Sequence, residues 1–393
     1  MRFTPSSALA SSALLLSSTA QAAWTPATTA QTDKLEAQGL VNLVKYEAQY
    51  HPPPSCNASS GYIRKEWFDL KAAEKTAYIN AVLCLQKLPA KSGSFAPGAR
   101  SRFDDFVAVH INQTLVIHET ANFLSWHRYF TWAYEHALRN ECGYTGYQPY
   151  LNWAKVSKDP LGSPLFDGSA TSISNNGGNL PGKNATYFQS AANPQVVVPP
   201  GTGGKCVTAG PFKDMSVNLG PLVPAYSEIP PNPSPDGLGY NPRCLRRDIS
   251  TFSANLALKD GDIANLIVNN TNVKDFQEDM EGLFNFNRPL LGVHTAGHFL
   301  IGGDPGGDFF ASPGDPYFFL HHGQIDRVWW IWQNQDLKNR QNAIAGTITI
   351  LNTPPSRNGT LQDILDLGII GVPKITIKDA MSTLGGPFCY IYI

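Results

Sequence analysis

Eight of the nine histidines lie in two groups, and this grouping is the strongest chemical signal in the sequence. The first group falls between residues 110 and 136, and the second between residues 294 and 322. His294 and His298 are four residues apart, so on a helix their side chains project about 40° apart on one face. Two imidazoles so placed can bind one metal ion, and neutral imidazole suits zinc, copper, iron and nickel.

The first group needs a bend in the chain before its histidines can meet. His118 and His127 are nine residues apart, which places them on opposite sides of one continuous helix. We predict that the segment NFLS, at 122–125, provides the bend and that His127 opens the next helix. Six imidazoles with no thiolate or carboxylate favour two three-histidine sites, each with a position open to an outside ligand. The alternative is that these histidines only pack in the core.

The surrounding elements are predicted to be mainly helical. Apolar residues at helical spacing predict helices over 63–88, 127–140, 250–267, 272–284, 290–300 and 322–336. Residues 102–118 favour a helix followed by a loop. Residues 157–242 are rich in Gly, Pro, Ser and Asn and predict a long loop-rich insertion, while the tail over 346–393 alternates as short strands do. No linker separates the two histidine groups, so we expect a single domain over 23–393.

The N-terminus is typical of a secretory signal peptide. Arg2 precedes an apolar run at 8–16, and Ala20-Gln21-Ala22 is a small-residue cleavage site. We therefore predict a signal peptide over 1–22, cleavage near Ala22 and a secreted, extracellular protein. The apolar run is too short to span a bilayer, and no later run is long enough, so no membrane association is expected.

Cysteines and glycosylation sequons fit an oxidising, secretory environment. The six cysteines include no CxxC pair and predict three disulfides, which we assign, among many possible pairings, as Cys56–Cys84, Cys206–Cys244 and Cys142–Cys389. The Asn-x-Ser/Thr sequons, which are candidates for glycosylation, are at Asn57, Asn112, Asn184, Asn269 and Asn358. The net charge of −1 and the lack of a basic stripe exclude nucleic acid as an expected partner.

Two long motifs resemble the metal-binding signatures of the tyrosinase family. HETANFLSWHRYFTWAYE, from His118, is similar to the copper-A signature, with Glu135 seven residues beyond Arg128. DPYFFLHHGQID, at 315–326, is similar to the copper-B signature, and the two occur in the family's order. The resemblance is greatest to short secreted fungal tyrosinases and catechol oxidases. It covers residues 110–135 and 294–332 directly.

The resemblance implies a cofactor, a fold and a set of ligands. The cofactor would be two copper ions in a dinuclear type 3 centre, housed in an antiparallel four-helix bundle with long loop insertions and a few short strands. Three histidines would bind each copper: His110, His118 and His127 for the first, and His294, His298 and His322 for the second. His321 and Asp326 would support the ligands from behind, because a ligating imidazole usually donates its other N–H to a second group.

Other residues near the motifs have expected roles or depart from the family pattern. His136 is expected to lie on a helix face or in a buried structural position, and His51 in a loop. The tryptophans and Phe130 near the motifs are expected to pack. Some relatives join a Cys to the second histidine of copper A, but Val116 stands two residues before His118, so no thioether is expected. The family's Pro-Tyr-Trp-Asp-Trp run is PYLNW here, with Asn152 in place of the charged residue.

The resemblance implies copper-dependent oxidation of o-diphenols to o-quinones, with dioxygen reduced to water. Monophenol hydroxylation is a further option, and Glu281 is a weak candidate to hold a water for it. Thr295, Phe299 and Phe309 are expected to flank the substrate entrance and favour catechol oxidase activity. The alternatives are a zinc-loaded lyase or isomerase that tailors a secondary metabolite, and an oxygen-binding protein without turnover. The expected partners are a small phenol and dioxygen, with the chain as a monomer or homodimer.

Overall fold

The computed structural model of the chain describes residues 24–187, 197–282 and 291–393. The predicted signal peptide at 1–22 lies outside these ranges, so its cleavage stays a prediction. In the described ranges, no helix is both long enough and apolar enough to cross a membrane.

Helices dominate the described fold, which confirms the mainly α prediction. Their bounds are α1 (Ala30–Tyr50), α2 (Ala72–Leu85), α3 (Arg102–Gln113), α4 (Phe123–Cys142), α5 (Trp153–Val156), α6 (Thr251–Ala257), α7 (Asp260–Asn269), α8 (Val273–Glu281), α9 (Val293–Ile301), α10 (Tyr317–Gln335) and α11 (Leu337–Arg340). Both α4 and α9 pack against α10. The antiparallel four-helix arrangement itself stays a prediction.

Three predicted helix starts were wrong. The helix expected from residue 63 begins at Ala72, because residues 62–64 form a strand instead. The helix expected from His127 begins earlier, at Phe123, so His127 lies inside it. The helix expected from residue 322 begins at Tyr317, after a 3₁₀ turn at 312–314.

A hydrogen-bonded capping box begins α3, and a left-handed glycine ends α4. At the start of α3, the Ser101 hydroxyl accepts from the Asp104 N–H (3.2 Å) and the Asp104 carboxylate accepts from the Ser101 N–H (2.9 Å). Such a reciprocal box satisfies two N–H groups that the first turn leaves free. Helix α4 ends at Gly143, whose φ of 68° is a left-handed conformation that glycine adopts without strain.

The strands are short and pair in twos. Their bounds are β1 (Tyr62–Arg64), β2 (Gly177–Asn179), β3 (Thr186–Tyr187), β4 (Val197–Val198), β5 (Gly204–Val207), β6 (Ser216–Val217), β7 (Arg243–Cys244), β8 (Ile364–Leu365), β9 (Ile375–Thr376) and β10 (Tyr390–Tyr392). The described part of 157–242 holds only strands of two to four residues, as predicted for a loop-rich segment. Strand β10 runs parallel to β1, so the C-terminal tail lies against residues 62–64.

All six cysteines form disulfides, but two of the three predicted pairings were wrong. The structure confirms Cys206–Cys244, and its other disulfides are Cys56–Cys389 and Cys84–Cys142. Nearness in sequence favoured pairing Cys56 with Cys84. The parallel pairing of β1 with β10 carries the tail to Cys56 instead, and the packing of α2 on α4 brings Cys84 to Cys142. With every cysteine paired, none is available for a thioether.

A buried ionic network ties α4 and α10 to the tail. Asp326 accepts hydrogen bonds from the Arg128 guanidinium (2.5 Å), the Arg64 guanidinium (3.3 Å) and the hydroxyls of Tyr390 and Tyr392 (2.5 Å each). The prediction that Asp326 supports a ligating imidazole was therefore wrong. Its carboxylate is one helical turn from His322 in sequence, but it faces the arginines and the tail rather than the imidazoles.

The structure also places the other residues singled out in the sequence. His136 is exposed on α4 and stacks near Trp132, while His51 ends α1 in a left-handed conformation. The tryptophans of the motifs are buried except Trp132, which is half-buried. Four of the five sequon asparagines are exposed, and Asn57 is half-buried. Their glycosylation stays a prediction.

Candidate metal centre

The first histidine group is assembled by two helices and the connection between them. His110 lies on the last turn of α3, His118 follows a 3₁₀ turn at 114–116, and His127 lies on α4. Glu119 has a left-handed φ of 51°, which turns the chain directly after His118. The three rings have centroids 4.9 to 5.9 Å apart. The predicted bend is therefore present, but just before NFLS, because Phe123 already begins α4.

Backbone carbonyls hold all three rings of this group by their Nδ1 atoms. The pairs are His110–Phe310 (2.7 Å), His118–Thr114 (2.9 Å) and His127–Phe123 (2.8 Å). Because a carbonyl only accepts, the proton lies on Nδ1 and each Nε2 keeps a free lone pair. Nε2 of His110 and of His127 is buried without a hydrogen-bond partner in the described structure. This is the arrangement that metal-binding histidines show.

Burial keeps the imidazoles of both groups neutral. Desolvation lowers the pKa of every one of the six predicted ligands, and it brings the pKa of His118 to about 4 and that of His298 to about 3. For every ligand except His118, neighbouring imidazoles lower the pKa further, because one protonated ring would repel the next. The neutral ring is the form that binds a metal, so the groups need no deprotonation at neutral pH.

The second histidine group brings three Nε2 atoms to one point. Nε2 of His298 is 3.2 Å from Nε2 of His294 and 3.3 Å from Nε2 of His322. Two nitrogens bound to one ion at 2.0–2.1 Å in tetrahedral geometry lie about 3.3 Å apart, so the observed spacing suits a shared ion. His298 is also hydrogen-bonded to the backbone of Gly306. The Nδ1 atoms of His294 and His322 have no protein partner among the described residues.

The two groups face each other across a short gap. The rings of His127 and His322 stack with centroids 4.6 Å apart and planes at 17°. The rings of His118 and His294 lie 5.9 Å apart. Six neutral imidazoles from α3, α4, α9, α10 and one connection thus meet in a single buried chamber that suits two ions.

His321 also lies within the second group, but its nitrogens are engaged differently. The indole N–H of Trp153 donates to Nδ1 of His321 (3.1 Å). The neutral ring then carries its proton on Nε2 and offers no lone pair to an ion. This favours His322 over its neighbour as the ligand, and the supporting role of His321 stays a prediction.

Gly297 makes room for that supporting ring. A Cβ at position 297 would lie 2.1 Å from the His321 ring, which Trp153 holds in place. We therefore expect Gly297→Ala to lower the free energy of unfolding by about 1–3 kcal/mol, as overpacking does. Urea unfolding measures the change.

Gly261→Ala is the matched control for Gly297→Ala, because Gly261 also lies in a helix. Its added Cβ would meet nothing closer than 3.6 Å. Alanine there should leave stability unchanged or raise it by up to about 1 kcal/mol. Equal effects of the two substitutions would show that the His321 ring is not fixed.

A buried acid supports the turn after His118. The Glu281 carboxylate, at the end of α8, accepts a hydrogen bond from the backbone N–H of Glu119 (2.8 Å). Burial, and then the charge of Glu119, raises the pKa of Glu281 well above its ordinary value. The Thr295 hydroxyl donates to the Glu281 carbonyl, so that side chain is directed toward α8 and is buried.

Substitutions at Glu281 separate hydrogen bonding from charge. Glu281→Ala would leave the Glu119 N–H unsatisfied, so we expect a loss of about 1–3 kcal/mol in the free energy of unfolding. Glu281→Gln keeps an accepting oxygen and should retain most of that stability. Thermal unfolding of both variants measures this. An equal loss in the two would contradict the hydrogen-bonding role.

Two aromatic residues predicted at the entrance, Phe309 and Phe299, lie near the surface of the protein. The ring of Phe309 is 4.7 Å from that of His118, and both Phe309 and Phe299 are half-buried. These two residues remain candidates for the entrance, whereas Thr295 is buried. Residues 283–290 lie outside the described ranges.

Several supporting groups had no signal in the sequence, or only a weak one. The carbonyls of Phe310, Thr114 and Phe123 are backbone atoms, which no residue pattern reveals. Gly297 stands between two predicted ligands in HTAGH and could have been noticed as a close-approach position. Trp153 stands in the PYLNW run, but its partner His321 becomes visible only when α5 packs on α10.

Comparison with known proteins identifies the family to which this chain is similar. The sequence pattern of the common central domain of tyrosinase matches residues 100–335. The tyrosinase-like protein orsC of Emericella nidulans is 44% identical, over 80% of this chain and 86% of its own length. The N-acetyl-6-hydroxytryptophan oxidase ivoB of the same organism is 37% identical, over 86% and 93%.

A solved structure has the same fold. The polyphenol oxidase of Thermothelomyces thermophila, in its G292N form, is 39% identical with a TM-score of 0.85, and the match covers 93% of this chain and 98% of that one. The family match at residues 100–335 includes both histidine groups. The chain belongs to the tyrosinase family.

Proposed function

We propose that the chain is a secreted copper enzyme that oxidises o-diphenols to o-quinones with dioxygen. The observation that carries the proposal is the pair of facing three-histidine groups, with three Nε2 atoms of the second group at 3.2 and 3.3 Å. Family membership supports the dinuclear copper centre, and the family acts on phenols with dioxygen. Three disulfides support secretion.

The donor set fits two copper ions. His110, His118 and His127 would hold one ion, and His294, His298 and His322 would hold the other. Imidazole is a ligand that copper binds well, and three per ion leave a position open. A bound copper pair would supply the two-electron oxidation of the phenol, coupled to reduction of dioxygen.

The protein's own residues orient the ligands and shape access to them. Backbone carbonyls fix the tautomer of the first three imidazoles, and Trp153 and His321 support the second group from behind. Five of the six residues are buried and His298 is half-buried, so most of the chamber is shielded from bulk water. Phe309 lies beside His118, where it restricts how deeply a bulky phenol can enter. This favours oxidation of catechols over hydroxylation of monophenols.

A second candidate function is the tailoring of a more elaborate hydroxylated aromatic molecule. One relative is named as an N-acetyl-6-hydroxytryptophan oxidase, which acts on a ring with a single hydroxyl group. Imidazole donors alone do not select copper over zinc, so a zinc-loaded lyase or isomerase also fits this donor set. The substrate therefore needs a direct test.

Oxygen uptake by the secreted, copper-loaded protein tests the proposal. We expect uptake with catechol, slower uptake with the matching monophenol, and none with the zinc-loaded protein. Faster uptake with a hydroxyindole than with catechol would favour the tailoring function. Absence of uptake with every phenol, at full copper loading, would contradict oxidase activity.

A further inference from the structure

A second cleft lies behind the first histidine group, away from the metal chamber. Its volume is about 810 Å³, which is within the range of sites that hold small molecules or sugars. One wall is the C-terminal end of α3 with the start of α4, and the other is the C-terminal segment 348–377. The cleft is built from described residues only.

The lining of this cleft is mixed in a way that suits a carbohydrate. Ile348 and Ile369, both half-buried, supply apolar surface against which the face of a sugar ring can pack, whereas Trp126 also lines the cleft but is itself buried. Val116 on one wall is 43% exposed, and Ile364 on the other is 58% exposed, so apolar surface is left uncovered on both sides. Gln362 and the Arg357–Asp363 ion pair, at 2.8 Å, supply donors and acceptors for hydroxyl and acetamido groups.

An attachment point for a sugar lies in the cleft wall itself. Asn112 lines the cleft, is exposed, and belongs to the sequon Asn112-Gln113-Thr114. Its side-chain amide has no hydrogen bond within the described structure. The neighbouring Gln113 already links the walls, because it accepts from the Trp126 indole N–H (2.8 Å) and donates to the Asp366 carbonyl (2.8 Å).

We propose that Asn112 carries an N-linked glycan whose first N-acetylglucosamine residues lie in this cleft and hold segment 348–377 against α3. The proposal rests on entry of the chain into the secretory pathway, which is part of the proposed function. A lipid-diphosphate-linked oligosaccharide would be the donor. A bond forms between Nδ2 of Asn112 and C1 of the first sugar, the bond from C1 to the diphosphate breaks, and the amide loses one proton.

The burial of Thr114 also limits when the glycan can be transferred to Asn112. Thr114 is fully buried, and its hydroxyl donates to the carbonyl of His110 (2.6 Å). A transferase that must contact this hydroxyl can reach it only before α3 has packed. Sugar addition therefore precedes folding, and the cleft closes around sugars that are already attached.

Native deglycosylation of the secreted protein tests this, with Asn269 as the matched control. Asn269 is also an exposed sequon residue at the end of a helix, but it does not line this cleft. An endoglycosidase that cuts between the two core sugars should release the Asn112 glycan at least about tenfold more slowly than the Asn269 glycan, because the segment must open first. After denaturation the two rates should be equal.

Two results would overturn the proposal. One is an unmodified Asn112 in the mass spectrum of the glycopeptides. The other is equal native release at Asn112 and Asn269. Hydrogen exchange gives an independent readout: Asn112→Gln should speed exchange in 360–377, whereas Asn269→Gln should not. Copper content and oxygen uptake of the same samples report on the proposed function separately, since no hydrogen bond within the described ranges joins the Asn112 side chain to a histidine of the chamber.

Discussion

His322→Asn is expected to lower the copper content from two ions per chain to about one and to abolish oxygen uptake, whereas His321→Asn should keep both ions. His322 brings its Nε2 to 3.3 Å from that of His298, so its loss leaves the second ion with two ligands. His321 accepts from Trp153 (3.1 Å), and an asparagine oxygen can accept the same hydrogen bond. Elemental analysis of both purified variants measures the difference.

The size of the His321 effect is also predicted. Residues that support a ligand from behind typically change metal affinity by about 10–100-fold without removing the site. Competition with a chelator should therefore strip copper from His321→Asn more easily than from the parent chain. Loss of one ion from His321→Asn, with both retained in His322→Asn, would reverse the assignment of the two neighbours.

Asp326→Asn is expected to lower the free energy of unfolding by about 3–5 kcal/mol, because it removes one partner of a buried ion pair. Arg128 is fully buried, and Asp326 is its only acidic partner within the described residues. In the variant, Arg64 still pairs with Glu135 at 3.0 Å. Most of the lost stability therefore comes from Arg128, which is left without an acidic partner in the described structure. The substitution is nearly isosteric, so charge rather than volume is tested. Urea unfolding with an unchanged slope measures the loss.

The same network predicts how stability depends on pH. Burial alone would raise the pKa of Asp326, but Arg128 and Arg64 outweigh it and hold the pKa below its ordinary value. A carboxyl group with a depressed pKa in the fold stabilises fully above its unfolded pKa of about 3.9 and loses that contribution as the pH falls further. The gap in stability between the parent and Asp326→Asn should therefore narrow below about pH 4.

Lys374→Ala is the control for Asp326→Asn. Lys374 pairs with Asp366 at 2.7 Å on the surface, where both side chains are exposed. Solvent screens such a pair, so its loss should change the free energy of unfolding by less than about 1 kcal/mol. Comparable losses in the two variants would contradict the view that burial makes the Asp326 network important.

Helical periodicity predicted most of the helices, and the errors have physical causes. Residues 62–64 carry no signal that distinguishes a helix start from a strand, and their strand exists only because residues 390–392 pair with it. The wrong disulfides have the same origin, since Cys389 reaches Cys56 by that long-range pairing. Pairings between distant segments are not encoded in local spacing.

The candidate ligands could be predicted because metal binding depends on residue type and spacing, which the sequence shows directly. His294 and His298 lie at helical spacing, and the motif places His322 after its neighbour. The groups that hold these histidines in place could not be predicted in the same way. The carbonyls that fix the first group are backbone atoms, and Asp326 turned toward Arg128 because a buried guanidinium attracts a carboxylate more strongly than a neutral imidazole does.

Metal content of the purified, secreted protein tests the central claim most directly. Two three-histidine groups with free Nε2 atoms, in a chain of this family, predict about two copper ions per chain and little zinc. Elemental mass spectrometry after expression in copper-supplemented medium gives the ratio. Two zinc ions would contradict the oxidase function, and no bound metal would contradict the assignment of the six histidines as ligands.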